Sequence, residues 1–108
     1  IHLNIMIYVF DIDNTICITK NGEYEKSAPM CDRIDKINQL YKEGHIIHFL
    51  TARGMGRSNN TDPGMFKELT SNQLDEWGVN YHRLFMGKPA GDLYIDDKAI
   101  KDEEFFRD

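Results

Sequence analysis

An α/β domain built on a mostly parallel central sheet is what this chain of 108 residues predicts, from three observations. The segment Ile5-Met6-Ile7-Tyr8-Val9-Phe10 is apolar without polar alternation, the pattern of a strand buried on both faces. Further apolar runs recur at 45–50, 83–86 and 93–95, with helix-periodic stretches between the first three, which is the βαβ order of a right-handed parallel sheet. Each run ends in a side chain able to do chemistry: Asp11 and Asp13, then Thr51 with Arg53, then Lys88, then Asp96 and Asp97. In an open parallel sheet all these ends fall on one edge, where ligands bind.

Taken in order, Ile16–Thr19 alternates and runs into Asn21-Gly22, a pair suited to a hairpin turn, so a short β-flap is expected to overhang the first two acids. Ser27 and Pro29 read as the cap and first turn of a helix carrying Ile34, Ile37, Leu40 and Tyr41 and ending at Gly44. His45–Leu50 is the second strand. His48 within it is a candidate ligand, but a structural histidine is the commoner case, and it stays unassigned. Residues 54–61 form a polar, glycine-rich loop on the edge of the acids, equally readable as substrate-facing or as a plain connector. Asp62-Pro63 opens a second helix, with Met65, Phe66, Leu69, Leu74 and Trp77 at core spacing and Gly78 as its stop. Arg83–Met86 and Leu93–Ile95 are short strands. In the tail, Ile100, Phe105 and Phe106 are expected to pack on the body or on a partner subunit.

Composition bounds the function. One domain of ordinary size, 41% hydrophobic and 29% charged, describes a folded globular protein. A net charge of −5 argues against a nucleic-acid footprint. No run approaches the roughly 20 apolar residues of a membrane span, no secretory leader is apparent, and Cys17 and Cys31 have no metal-type spacing, so a cytoplasmic setting is expected. Met6 is a candidate start, with residues 1–5 an expression remnant.

A single Asp after a strand commonly caps a helix or starts a turn. Two acids one residue apart, at a sheet edge that also receives a lysine, an arginine, a threonine and two more acids, suit a hard cation and a phosphoryl group. Here the residues resemble a known family. Asp11-Ile12-Asp13-Asn14-Thr15 is similar to the DxDx(T/V) first motif of the haloacid dehalogenase (HAD) superfamily, Thr51 to its second, Lys88 to its third, and Ile95-Asp96-Asp97 to its fourth. Asn14 departs from the Gly of many relatives, although Asn tolerates the left-handed region. Thr51-Ala52-Arg53, Gly87-Lys88-Pro89 and Tyr94–Ile100 further resemble small capless HAD proteins of capsule or surface-polysaccharide biosynthesis.

The resemblance implies a three-layer Rossmann-like HAD fold with no large cap, and a Mg²⁺-dependent phosphomonoester hydrolase. Asp11 would be the nucleophile forming an aspartyl-phosphate, Asp13 the general acid and base, Thr51 and Lys88 the phosphoryl contacts. Asp11 through its carboxylate, Asp13 through its backbone carbonyl, and Asp96, Asp97 or both would hold the metal. Arg53 is readable as a substrate contact or as an outward-facing side chain. With no room for a cap, the site is expected to be open and to be closed by a second copy in a dimer or tetramer, on a phosphorylated sugar or sugar acid. A monomer at micromolar concentration by light scattering would remove the borrowed-cap idea. The alternatives are a phosphotransferase, which generally needs a closed site, and a non-catalytic binding or assembly module. A receiver domain fails because no Asp follows Leu50, and a dinucleotide domain because no GxGxxG follows the first strand.

Overall fold

The computed structural model describes residues 4–56 and 61–107. In chain order its elements are β1 (Ile7–Phe10), β2 (Cys17–Ile18), a 3-10 turn over Tyr24–Lys26, β3 (Ala28–Pro29), α1 (Cys31–Lys42), β4 (Ile46–Thr51), α2 (Lys67–Glu76), β5 (Arg83–Met86) and α3 (Asp102–Phe105). β1, β4 and β5 form a parallel sheet in that order, with Val9 beside His48 and His48 beside Arg83. Both crossovers step in the same direction along the sheet, so right-handed connections put α1 and α2 on one face.

The core lies on that face. Strand alternation turns Phe10, Ile47 and Phe49 toward Ile34 and Ile37 of α1 and toward Leu74 and Val79, all of them buried. α3 closes the same side: Phe105 stands edge-on to Tyr8 and Phe10, and Phe106 stacks on Phe10. Arg33 of α1 fastens α3 by an ion pair to Asp102 at 2.7 Å, and Lys36 lies 4.7 Å above the Phe105 ring. The expected packing of the tail on the body is thus realised by Phe105 and Phe106, while Ile100 stays exposed.

The opposite face differs from expectation. Ile7 and Val9 are 62% and 59% exposed, and Phe85 is also exposed, so β1 is not buried on both sides. The three-layer arrangement requires a helix on this second face, and none of the described helices lies there. Only residues 87–92 separate β5 from the expected Leu93 strand, too few for a crossover helix. His48 sits on this face, edge-on to Phe85, and its Nδ1 is buried without a hydrogen-bond partner among the described residues. It is therefore not the satisfied structural histidine of the commoner case.

Further corrections are local. Leu93–Ile95 is not a strand: residues 91–100 are exposed throughout, Leu93 by 80% and Ile95 by 94%. The radius of gyration, 14.1 Å, exceeds the roughly 13 Å of a compact chain this long. Ala28-Pro29 is strand rather than helix start, because it pairs antiparallel with Cys17-Ile18, and α1 begins after Met30. The flap is real but wider than a tight hairpin, with Asn21 and Gly22 at φ 55° and 67° at its tip. α2 begins at Lys67, five residues after Asp62, whose side chain instead accepts the Gly64 N–H. Met65 is 66% exposed and adds nothing to the core. The middle of the 54–61 loop, residues 57–60, lies outside the described residues, as do residues 1–3 and Asp108. No helix among the described residues is long and apolar enough to cross a membrane.

Candidate active site at the carboxyl edge of the sheet

After Phe10 the chain must leave the sheet while keeping its acids at the edge, and apolar anchors do this. Ile12 and Ile16 are fully buried, and the Ile12 carbonyl accepts the N–H groups of Thr15 and Ile16 at 3.0 and 2.9 Å. With Ile12 turned inward, Asp11 and Asp13 on either side of it point the other way. Asn14 completes the turn at φ 61°, its N–H donating to the Cys17 carbonyl at 2.7 Å and its side-chain oxygen accepting the Thr19 N–H at 3.1 Å. Asn14→Gly should cost less than Asn14→Ala, since both lose the acceptor for the Thr19 N–H but glycine keeps the left-handed tolerance; the alanine variant should cost about 1–2 kcal/mol in denaturant unfolding.

Asp11 and Asp13 have different surroundings. Asp11 accepts a hydrogen bond from Thr15 Oγ1 at 3.3 Å, and Lys88 Nζ stands 3.7 Å from its Oδ1. Burial nevertheless pushes its carboxyl above the usual carboxylate range, with the Lys88 charge opposing the shift. Asp11 thus carries charge that its protein neighbours compensate incompletely. Its side chain remains 36% exposed, which screens the penalty. Lys88 is held between Asp11 and the Tyr94 ring, 4.2 Å from its centroid, and its N–H donates to the Thr51 carbonyl at 3.0 Å.

Asp13 is gripped by Arg53. The guanidinium donates from Nε to Oδ2 at 3.0 Å and from Nη2 to Oδ1 at 2.9 Å, and Thr19 Oγ1 donates to Oδ1 at 2.6 Å. Arg53 is itself fully buried as a side chain. Its Nη1 donates to Gln73 Oε1 at 2.6 Å and Thr70 Oγ1 at 3.0 Å, both in α2, and its plane lies 4.8 Å from the Tyr24 ring. This corrects the expectation for Arg53: with every face occupied it neither contacts substrate nor points outward, but positions Asp13. Thr51 is buried at the end of β4 with its Oγ1 accepting the Arg53 N–H at 3.1 Å, and Ala52 rather than Thr51 lines the cleft.

The cleft measures about 490 Å³ and is lined by Asp11, Asp13, Tyr24, Lys88 and Tyr94 among others. That is room for a ligand of small-metabolite size. Sequence reading missed Thr19, Tyr24, Thr70, Gln73 and Tyr94. A helical Thr70 and Gln73 look like any polar surface pair, and only the arrival of Arg53 makes them ligands of a buried cation.

Asp11, Asp13 and Lys88 are thus gathered, but Asp96 and Asp97 are not. They sit on the exposed 91–100 segment, where the Asp96 carboxylate accepts the Lys98 N–H at 2.9 Å. That hydrogen bond, with a second from Asp97, holds the Asp96 carboxyl below its usual range. Among the described residues no three His, Cys, Asp or Glu side chains converge on a metal position. The Asp11 carboxylate, whose charge Lys88 compensates only in part, fits a Mg²⁺ that keeps most of its waters. Arg53 takes up the Asp13 carboxylate, not the backbone carbonyl expected to face the metal.

No family model matches this chain, and no curated protein does. It is similar in structure to the crystal structure of an MCSG target from Vibrio cholerae, at a TM-score of 0.83 and 26% identity, over 95% of this chain and 89% of that one. The chain therefore has an α/β fold, with a three-stranded parallel sheet among its described residues, and its overall fold resembles that of the solved structure.

Proposed function

We propose that the chain is a Mg²⁺-dependent phosphomonoester hydrolase acting through an aspartyl-phosphate on a small phosphorylated metabolite, a phosphorylated sugar or sugar acid by preference. The observation that carries this reading is Asp11, lining a cleft, with Lys88 Nζ 3.7 Å away and Asp13 two residues on.

In this reading a carboxylate oxygen of Asp11 attacks phosphorus while the ester oxygen leaves with a proton from Asp13. Water then attacks the phosphoryl group on Asp11, giving its proton back to Asp13, and phosphate departs. Splitting one displacement into two easier ones is the gain of a covalent route, and a positioned proton donor and acceptor is worth roughly 10²–10⁴-fold. Lys88 compensates charge on Asp11 before the reaction and on the transferred group during it. Arg53 holds the Asp13 carboxylate at the edge, and Asp13 must turn one oxygen away from Arg53 to reach the leaving group. Mg²⁺ held by the Asp11 carboxylate and the Asp13 backbone carbonyl would supply charge neutralisation at the phosphoryl oxygens.

The test is phosphate release from a panel of sugar phosphates, sugar-acid phosphates and nucleotides with and without Mg²⁺. Metal-dependent release that favours the sugar-acid esters supports the reading; a panel with no release at any metal concentration removes it. Lys88→Met should lower kcat/KM by about 10²–10³-fold, the usual loss on removing one charge-stabilising group, with circular dichroism unchanged. A binding or assembly role is the second reading, favoured by the placement of Asp96 and Asp97 away from Asp11.

A further inference from the structure

Two features of the chain fit each other better than either fits its surroundings. β1 is an edge strand: β4 pairs with one side of it, and no strand among the described residues pairs with the other. It is uncharged from Ile5 to Phe10, with Ile7 and Val9 exposed, and a bare apolar edge of this kind invites another strand. The second feature is the exposed segment 91–100, whose Leu93-Tyr94-Ile95 is equally uncharged and of strand composition.

Within one chain the two cannot combine as a regular parallel ladder. A parallel neighbour needs a crossover of about a dozen residues or more, and six separate Met86 from Leu93. Those six must return from the carboxyl edge of the sheet to its amino edge and also pass β4 and β1, about 14 Å at three strand spacings. Between two copies the arm does not have to cross its own sheet.

We propose that Leu93–Ile95 of one copy adds to the free edge of β1 in a second copy as a fourth parallel strand, and that the exchange is reciprocal. The occupant is a second copy because each chain owns both the arm and the edge, which is the self-complementarity of a two-fold interface. One register is favoured, and it takes the Tyr94 ring off Lys88 of its own chain. With Ile95 beside Phe10, Tyr94 beside Val9 and Leu93 beside Tyr8, the two aliphatic arm residues join the face of Tyr8 and Phe10, next to Phe105 and Phe106. That register brings Asp96 and Asp97 of one copy level with Asp11 of the other, so each site takes acids from both copies. The part given to Asp96 and Asp97 rests on the phosphatase reading; the strand exchange does not.

Two mixing experiments test this. In a Cys31→Ser background, Val9→Cys protein mixed with Tyr94→Cys protein and treated with a short bismaleimide should yield a covalent dimer of the two variants. No mixed dimer, whether or not a Val9→Cys/Tyr94→Cys double variant closes within one chain, overturns the exchange. Asp11→Asn protein mixed with Asp96→Asn/Asp97→Asn protein, each inactive alone, should regain about a quarter of wild-type release, since half the random dimers carry one intact site of two. A mixed dimer with an active wild type but no regained release overturns the shared site. A mixed dimer with an inactive wild type leaves the exchange standing and retires the phosphatase reading.

Discussion

Asp11→Asn is expected to reduce Mg²⁺-dependent phosphate release by on the order of 10⁴-fold or more, the scale of loss when a covalent nucleophile is removed. Stability should move the other way. Burial makes the charged form of Asp11 costly, so its carboxyl titrates above the usual carboxylate range. The folded chain therefore binds this proton more tightly than the unfolded chain, and between the ordinary value and the raised one stability falls as pH rises. An asparagine carries no such charge. The variant should accordingly melt at or above the wild-type temperature at neutral pH, and the advantage should disappear below the ordinary carboxylate value, where Asp11 is protonated in both states. An inactive variant that is also less stable at pH 7 would mean that the Lys88 pair outweighs desolvation.

The largest effect on stability is expected at Arg53. Its side chain is fully buried and serves Asp13, Thr70 and Gln73 at once, so it ties the first strand-end loop to α2. Arg53→Met keeps the apolar stem but leaves the Asp13 carboxylate and two polar groups of α2 without their donor. Breaking a buried pair from one side costs about 3–5 kcal/mol. Asp13 is 22% exposed, which places the expected loss at the low end, about 3 kcal/mol. For a chain of this size that lowers the melting temperature by at least about 12 °C. Asp13→Asn in the same protein should recover part of the loss, because the stranded charge is what makes the single variant costly. Equal melting of the two variants in calorimetry would show that the packing of Tyr24 and Gln73, not the ion pair, is what Arg53 supports.

Much of the sheet was legible because apolar runs are strong signals. β4 and β5 fall where 45–50 and 83–86 read as strands, and Asp11 and Asp13 stand at the end of β1. The helix of Ile34 and Ile37 was readable from its spacing and from Gly44, which sits at φ 97°. What failed depended on partners distant in sequence. Ala28-Pro29 carries a helix-start signature, and only pairing with Cys17-Ile18 makes it a strand. Leu93–Ile95 has strand composition, but composition does not supply the crossover length that a parallel partner demands. Arg53 after a strand reads as a substrate-binding fork or as an outward-facing side chain, and its burial is decided by Thr70 and Gln73 one helix later. The second sheet face reads as buried because a parallel strand is normally covered on both sides, yet this chain is too short between β5 and the arm to cover it.

Trapping the covalent intermediate tests the central claim most directly. The protein is quenched during turnover of a good substrate and reduced with borohydride, which converts an acyl phosphate to an alcohol, and residue 11 is then sequenced by mass spectrometry. The account predicts homoserine at position 11 only when both substrate and Mg²⁺ were present. Phosphate released at full rate with Asp11 unreduced, or with another carboxyl reduced in its place, would contradict it.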